Sequence, residues 1–129
     1  MAIRVTWEDE NQQVILNIYE GMWTLDDFYA AVQKSQQLFD SVDHKVNVIF
    51  DVRQSSTFPK GFMGAIGTLS KKPHPNTGVM VIVGGNAFMR AFYDVFTRVY
   101  AIQSARQPTY MSANYEEAHR IFDRCAEPR

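Results

Sequence analysis

Ile3, Val5 and Trp7 alternate with Arg4, Thr6 and Glu8, the period-two pattern of a strand with one buried face. Glu8 to Asn11 is polar enough to turn the chain. Val14 to Tyr19 is a second β-rich run, broken by Gly21. From Thr24 the period changes to that of a helix. Thr24 suits the N-cap, and Asp26 and Asp27 put negative charge in the first turn, where the backbone dipole favours it. Leu25, Phe28, Tyr29, Val32 and Phe39 then share one face, with Gln33, Lys34 and Gln37 elsewhere. Val46 to Val52 and Gly78 to Val83 are nearly continuous apolar runs, as expected of central strands covered on both sides.

Between those two runs, Pro59 suits the first turn of a second helix, whose buried face is Phe62, Ala65, Ile66 and Leu69. Gly61, Gly64 and Gly67 recur along it, each costing about 1 kcal/mol against alanine in a helix interior. Close approach of a neighbour or a ligand would offset that cost, and a loosely formed helix would not need to. Asn86 caps a third helix that is apolar around much of its circumference: Phe88, Met89, Phe92, Tyr93, Val95, Phe96, Val99 and Tyr100. A short extended piece at Tyr110 and Met111 precedes a last helix. That helix opens on Asn114 and Glu117, spaced as in a capping box, with Tyr115, Ala118, Ile121 and Phe122 inward. The expected order is β-β-α-β-α-β-α-β-α, a single compact α/β domain over residues 1–129. Its sheet is mixed: an antiparallel opening pair followed by right-handed parallel crossovers.

The 129 residues are 46% hydrophobic, ample for one core, and carry a net charge of -1. That balance argues against a surface built to track nucleic-acid phosphates. A lone cysteine, Cys125, forms no internal disulfide and fits a reducing compartment. The first residues do not read as a signal peptide, and no apolar run approaches the ~20 residues of a membrane span. The expectation is a cytoplasmic protein without stable membrane insertion.

Candidate chemistry is sparse. His44, His74 and His119 lack the close spacing of a zinc site, and no phosphate loop, dinucleotide fingerprint or nucleophile elbow is present. No metal, no cofactor and no enzymatic activity are expected. Gly84, Gly85 and Asn86 follow a strand and precede a helix, with Arg90 one turn on. Backbone N–H groups there could hold an anion; the plainer reading is a tight turn with an Asn cap.

Three stretches together resemble the STAS domain, especially its SpoIIAA-like branch. They are YEGMWTLDDF (Tyr19 to Phe28), VNVIFDV (Val46 to Val52) and NYEEAHRIF (Asn114 to Phe122). The resemblance implies a non-enzymatic, regulatory protein-binding module. In anti-sigma factor antagonists of that family, a serine at the helix start after the central strand is phosphorylated, within a stretch reading Asp-Ser-Ser-Gly. Here the matching stretch is Phe58-Pro59-Lys60-Gly61, with Lys60 in the phosphoacceptor position. The usual phosphoserine switch is therefore not expected. Ser55, Ser56 and Thr57 lie just upstream, and they read more plainly as loop hydroxyls bonding nearby backbone.

The site expected to bind another protein is Asp51, Arg53, Ser55, Ser56, Lys60 and Gly61. The alternative is a carrier or sensor of a small apolar, lipid-like ligand in a groove between the second and third helices, lined by Phe58, Phe62, Met63, Met89 and Tyr93. A homodimer through the aromatic third helix is a further expectation for its exposed side.

Overall fold

The computed structural model describes residues 2–55, 59–62, 64–65, 68, 74–84 and 109–126. Its elements are β1 (Ile3–Trp7), β2 (Val14–Gly21), α1 (Leu25–Asp40), β3 (Val46–Ser55), β4 (Thr77–Val83), β5 (Thr109–Ser112) and α2 (Tyr115–Ala126). The five strands lie in sequential order, β1 antiparallel to β2 and every later pair parallel.

Strand alternation divides the sheet into two faces. On one, α1 buries Phe28, Ala31 and Phe39 against Ile3, Ile15, Tyr19, Val46, Val48 and Val52. On the other, α2 buries Ala118, Ile121 and Phe122 against Val14, Ile49, Val81 and Val83. The mixed α/β architecture and both central strands agree with expectation. β3 is the middle strand, although it runs to Ser55, three residues beyond the apolar run. Gly21 ends β2 at φ +62°, as expected.

The expected order of elements is matched in part. Phe62, Gly64, Ala65 and Thr68 have helical backbone, and Phe62 and Ala65 pack into the α1-side core. Pro59, Lys60 and Gly61, expected as the first turn of that helix, form a turn ahead of it, while the remaining positions of the second helix and the whole expected third helix from Asn86 to Tyr100 fall outside the described residues. Tyr29, expected on the inner face of α1, is exposed; Ala31 is buried there instead.

Both ends of α1 are fixed by side chains. Thr24 Oγ1 accepts from the Asp27 N–H at 3.1 Å, and Asp27 Oδ2 accepts from the Thr24 N–H at 2.9 Å, a reciprocal capping box. At the other end Asn76 Nδ2 donates to the Phe39 and Val42 carbonyls at 3.0 and 3.1 Å. The Phe39 carbonyl lies in the last turn of α1, where carbonyls lack i+4 partners, and Val42 lies just beyond the helix. His74 supports that cap. Its Nδ1 accepts from the Asn76 N–H at 3.0 Å, which leaves Nε2 to donate to Asp40 Oδ1 at 2.7 Å, and its ring stacks on Phe39. The loop before β4 thus clamps the end of α1.

β4 enters the sheet through a bulge, since Val46 pairs Thr77 but Val48 pairs Met80. Asn47 Oδ1 accepts the Val79 N–H there at 2.9 Å. A Cβ at Gly78 would lie 2.5 Å from Asn47 Oδ1 and 3.1 Å from the Val46 carbonyl oxygen, so glycine is required by close approach. A link from the second face, His119 Nε2 to Glu8 Oε1 at 2.7 Å, ties α2 to the β1–β2 turn.

Candidate functional site

Asn47, Ile49 and Asp51 follow one another along the α2 face of β3, and Asp51 ends that series as a buried carboxylate. A buried charge demands partners. Asp51 Oδ1 accepts from Arg53 Nε at 3.1 Å and from the Arg53 backbone N–H at 3.2 Å. Asp51 Oδ2 accepts from Arg53 Nη2 at 2.9 Å and from the Tyr115 hydroxyl at 2.6 Å. The guanidinium lies 5.0 Å from the centre of the Tyr115 ring, so one aromatic side chain bonds the anion and faces the cation.

The spacing explains the pair. Residues two apart on a strand share a face, so Arg53 folds back as a two-pronged fork onto Asp51. Tyr115 arrives from the first turn of α2, positioned because Asn114 caps that helix by accepting the Glu117 N–H at 2.8 Å. Glu117 completes the turn by accepting from the Ala113 N–H at 3.3 Å rather than from Asn114, which varies the expected box.

Burial alone would raise the Asp51 pKa. The bonds from Arg53 and Tyr115 and the Arg53 charge outweigh it, and the carboxyl is held below its ordinary value. Burial and the bond to Asp51 push the Tyr115 phenol up to about 12. The bond to Asp51 raises Arg53 further, against its partial burial.

Beyond Asp51 the strand is irregular. Ile18 pairs Asp51, yet Glu20 pairs Gln54, so β3 carries one extra residue and its alternation reverses. Ser55, which strict alternation would put beside Asp51 and Arg53, instead turns to the α1 side. There its hydroxyl accepts from Trp23 Nε1 at 2.8 Å. Ser55 is thus a strand residue bonded to an aromatic side chain, not a free loop hydroxyl. Trp23 in turn packs edge-on against Phe62, ring centres 4.8 Å apart, and Phe62 against Phe28 at 5.0 Å.

Among the residues expected to bind a partner, Asp51 and Arg53 are joined, and Ser55 faces away from them. Lys60 and Gly61 are exposed. Gly61 has φ +86°, a backbone that glycine adopts without strain, and its missing side chain leaves room beside Leu25. Phe62, expected to line a ligand groove, is buried in the core. Gly84 is buried and its N–H donates to the Ser112 carbonyl at 3.0 Å, so that donor is spent on the sheet rather than offered to an anion. Ser56, Thr57, Phe58, Met63, Gly85, Asn86, Met89, Arg90 and Tyr93 lie outside the described residues.

Two residues at this end of the sheet were not singled out by the sequence. Tyr115 was assigned only to a helix face; its place directly after the cap that follows the last strand was the available signal. Met22, after the β2-ending glycine, is 77% exposed, the most open large apolar side chain among the described residues. Because Gly21 pairs Ser55, Met22 emerges beside the end of β3. No cluster of metal-ligating side chains occurs among the described residues, and no helix there is long and apolar enough to cross a membrane.

No family model matches the chain, and no curated protein matches it. A solved structure does: an uncharacterised protein of the DUF3478 family with a SpoIIAA-like fold, from Shewanella loihica PV-4. It aligns over 97% of this chain and 93% of its own with a TM-score of 0.64 at 12% identity. The fold is therefore SpoIIAA-like, as the sequence resemblance implied.

Proposed function

We propose that this chain is a non-enzymatic, STAS-type module that binds another protein through the surface at the end of β3. Met22 supplies an exposed apolar anchor there, and Arg53, Gln54 and Lys60, at the end of β3 and in the turn that follows, are exposed polar groups. A partner segment bearing an apolar side chain and hydrogen-bonding groups is the complement of that surface.

The observation that carries the reading is the saturation of the Asp51 cluster. General acid–base catalysis works best with a pKa near the operating pH. The cluster moves its groups the other way, Asp51 down and Tyr115 up to about 12. Its two acceptor oxygens are committed to Arg53 and Tyr115. Such a cluster serves to hold the strand end and the guanidinium in place for recognition. Lys60 in the phosphoacceptor position supports docking without a phosphoserine switch.

Capture from the native host's lysate tests the proposal, comparing wild-type protein with Met22→Asp and Lys60→Glu. Loss of the same partner in both variants, with unchanged thermal midpoints, is the expected result. Retention by both places the docking surface elsewhere.

A further inference from the structure

β1 borders the sheet, and its pairing with β2 fixes which of its backbone groups face outward. The Glu20 N–H donates to the Ala2 carbonyl at 2.8 Å, and the Glu8 N–H to the Val14 carbonyl at 2.9 Å. In an antiparallel ladder such bonded pairs alternate with unbonded ones. The backbones of Arg4 and Thr6 therefore turn to β2, and those of Ile3, Val5 and Trp7 turn away from it. Among the described residues nothing bonds those outward N–H and C=O groups.

An open edge is a template for another strand, and proteins usually blunt it with proline, a bulge or an inward charge. β1 reads IRVTW, without proline or glycine. Its register with β2 runs unbroken, whereas β2–β3 and β3–β4 each carry a shift. On the α2 side of this edge Arg4 and Thr6 are exposed, and Glu8 follows them. On the α1 side Val5 and Trp7 are half-buried.

These side chains fit one occupant, the same strand from a second copy. A two-fold axis at Arg4 would set two guanidinium groups opposite each other, which is unfavourable. An axis at Val5 leaves Arg4 opposite Thr6, with no charge matched. An axis at Thr6 sets Arg4 opposite Glu8 of the second copy at both ends, Thr6 against Thr6, and Val5 against Trp7. Opposite charges, hydroxyl pairs and aromatic–β-branched pairs are the favourable cross-strand combinations.

We infer that β1 pairs antiparallel with β1 of a second copy, centred on Thr6, so that one continuous sheet runs through both chains. Arg4 already meets Glu20 at 2.9 Å, and Glu8 meets His119 at 2.7 Å. Pairing joins these contacts into one row: Glu20, Arg4, the second copy's Glu8 and its His119. The inference does not rest on docking at the end of β3, because it uses the side of β1.

Sedimentation equilibrium of the full chain over a range of concentrations is expected to show a reversible dimer. Val5→Pro removes an edge donor that makes no bond within the monomer, a position where proline is tolerated. That variant is expected to remain folded and to be monomeric. Arg4→Glu and Glu8→Arg each set like charges opposite one another and are expected to be monomeric alone. Mixed in equal amounts, the two variants place opposite charges at both contacts, and the mixture is expected to recover the dimer. Val5→Pro keeps the test decisive if a charge variant fails to fold. A wild-type chain that stays monomeric up to millimolar concentration overturns the inference. So does a Val5→Pro protein that dimerises as wild type does, or a folded pair of charge variants whose mixture stays monomeric.

Discussion

The Tyr115 hydroxyl donates to Asp51 Oδ2 at 2.6 Å across 64 positions of sequence, joining the first turn of the last helix to the end of the central strand. The bond closes a triangle with Arg53, which grips the same carboxylate and faces the same ring. Asp51 is thereby a buried charge with its neutralising partner beside it.

Removing the hydroxyl alone separates these roles. Tyr115→Phe keeps a ring under the guanidinium but deletes a bond to a charged acceptor, worth about 1.5–3 kcal/mol. Urea denaturation should show a loss in that range with an unchanged slope. A loss below about 0.5 kcal/mol would mean that the bond is not formed in solution.

The same cluster sets an acid limit. Asp51 titrates lower in the folded chain than in the unfolded one, where a carboxyl titrates near about 4. Its contribution is complete above that unfolded value and is lost as pH falls through the folded value. At the alkaline end the sign is opposite. Tyr115, raised to about 12, contributes fully below the unfolded value of about 10 and loses that contribution as pH rises through 12. Stability curves against pH should therefore flatten at the acid end in Asp51→Asn and at the alkaline end in Tyr115→Phe. Superimposable curves for variant and wild type would contradict the assignment.

The loop before β4 is a clamp, and it can be tested as one. Asn76→Ala removes the side-chain bonds to the Phe39 and Val42 carbonyls and should cost about 1–3 kcal/mol. Gly78→Ala drives a methyl group against Asn47 and the Val46 backbone and should cost about 1–3 kcal/mol. Hydrogen exchange in Asn76→Ala should quicken first at the last turn of α1. Exchange unchanged there would remove the capping role.

Ser55 separates a structural hydroxyl from a docking one. Ser55→Ala should lower stability by about 0.5–1.5 kcal/mol through the lost bond from Trp23, and leave partner capture intact. Loss of capture at unchanged stability would return Ser55 to the recognition surface.

Much of this was legible in the residues. The alternation of Ile3, Val5 and Trp7, the Thr24 cap, the two apolar runs and the Asn114 start each correspond to an element, because each reflects a local periodicity or cap. Ser55 reads as a loop hydroxyl because the apolar run ends at Val52, whereas pairing with β2 carries the strand on to Ser55 through one extra residue, which local sequence does not reveal. Asp51 and Arg53 could be paired from their spacing, whereas Tyr115 required the last helix to return onto the second face.

The central claim is that the end of β3 docks a protein, with the Asp51 cluster as its support and Met22 at its edge. The most direct measurement is quantitative capture of that protein by wild type, Met22→Asp, and Arg120→Glu as a control on the exposed side of α2. Wild type and Arg120→Glu should retain the same partner at equal yield, and Met22→Asp should lose it while unfolding at the same temperature. Equal yield from all three would contradict the account.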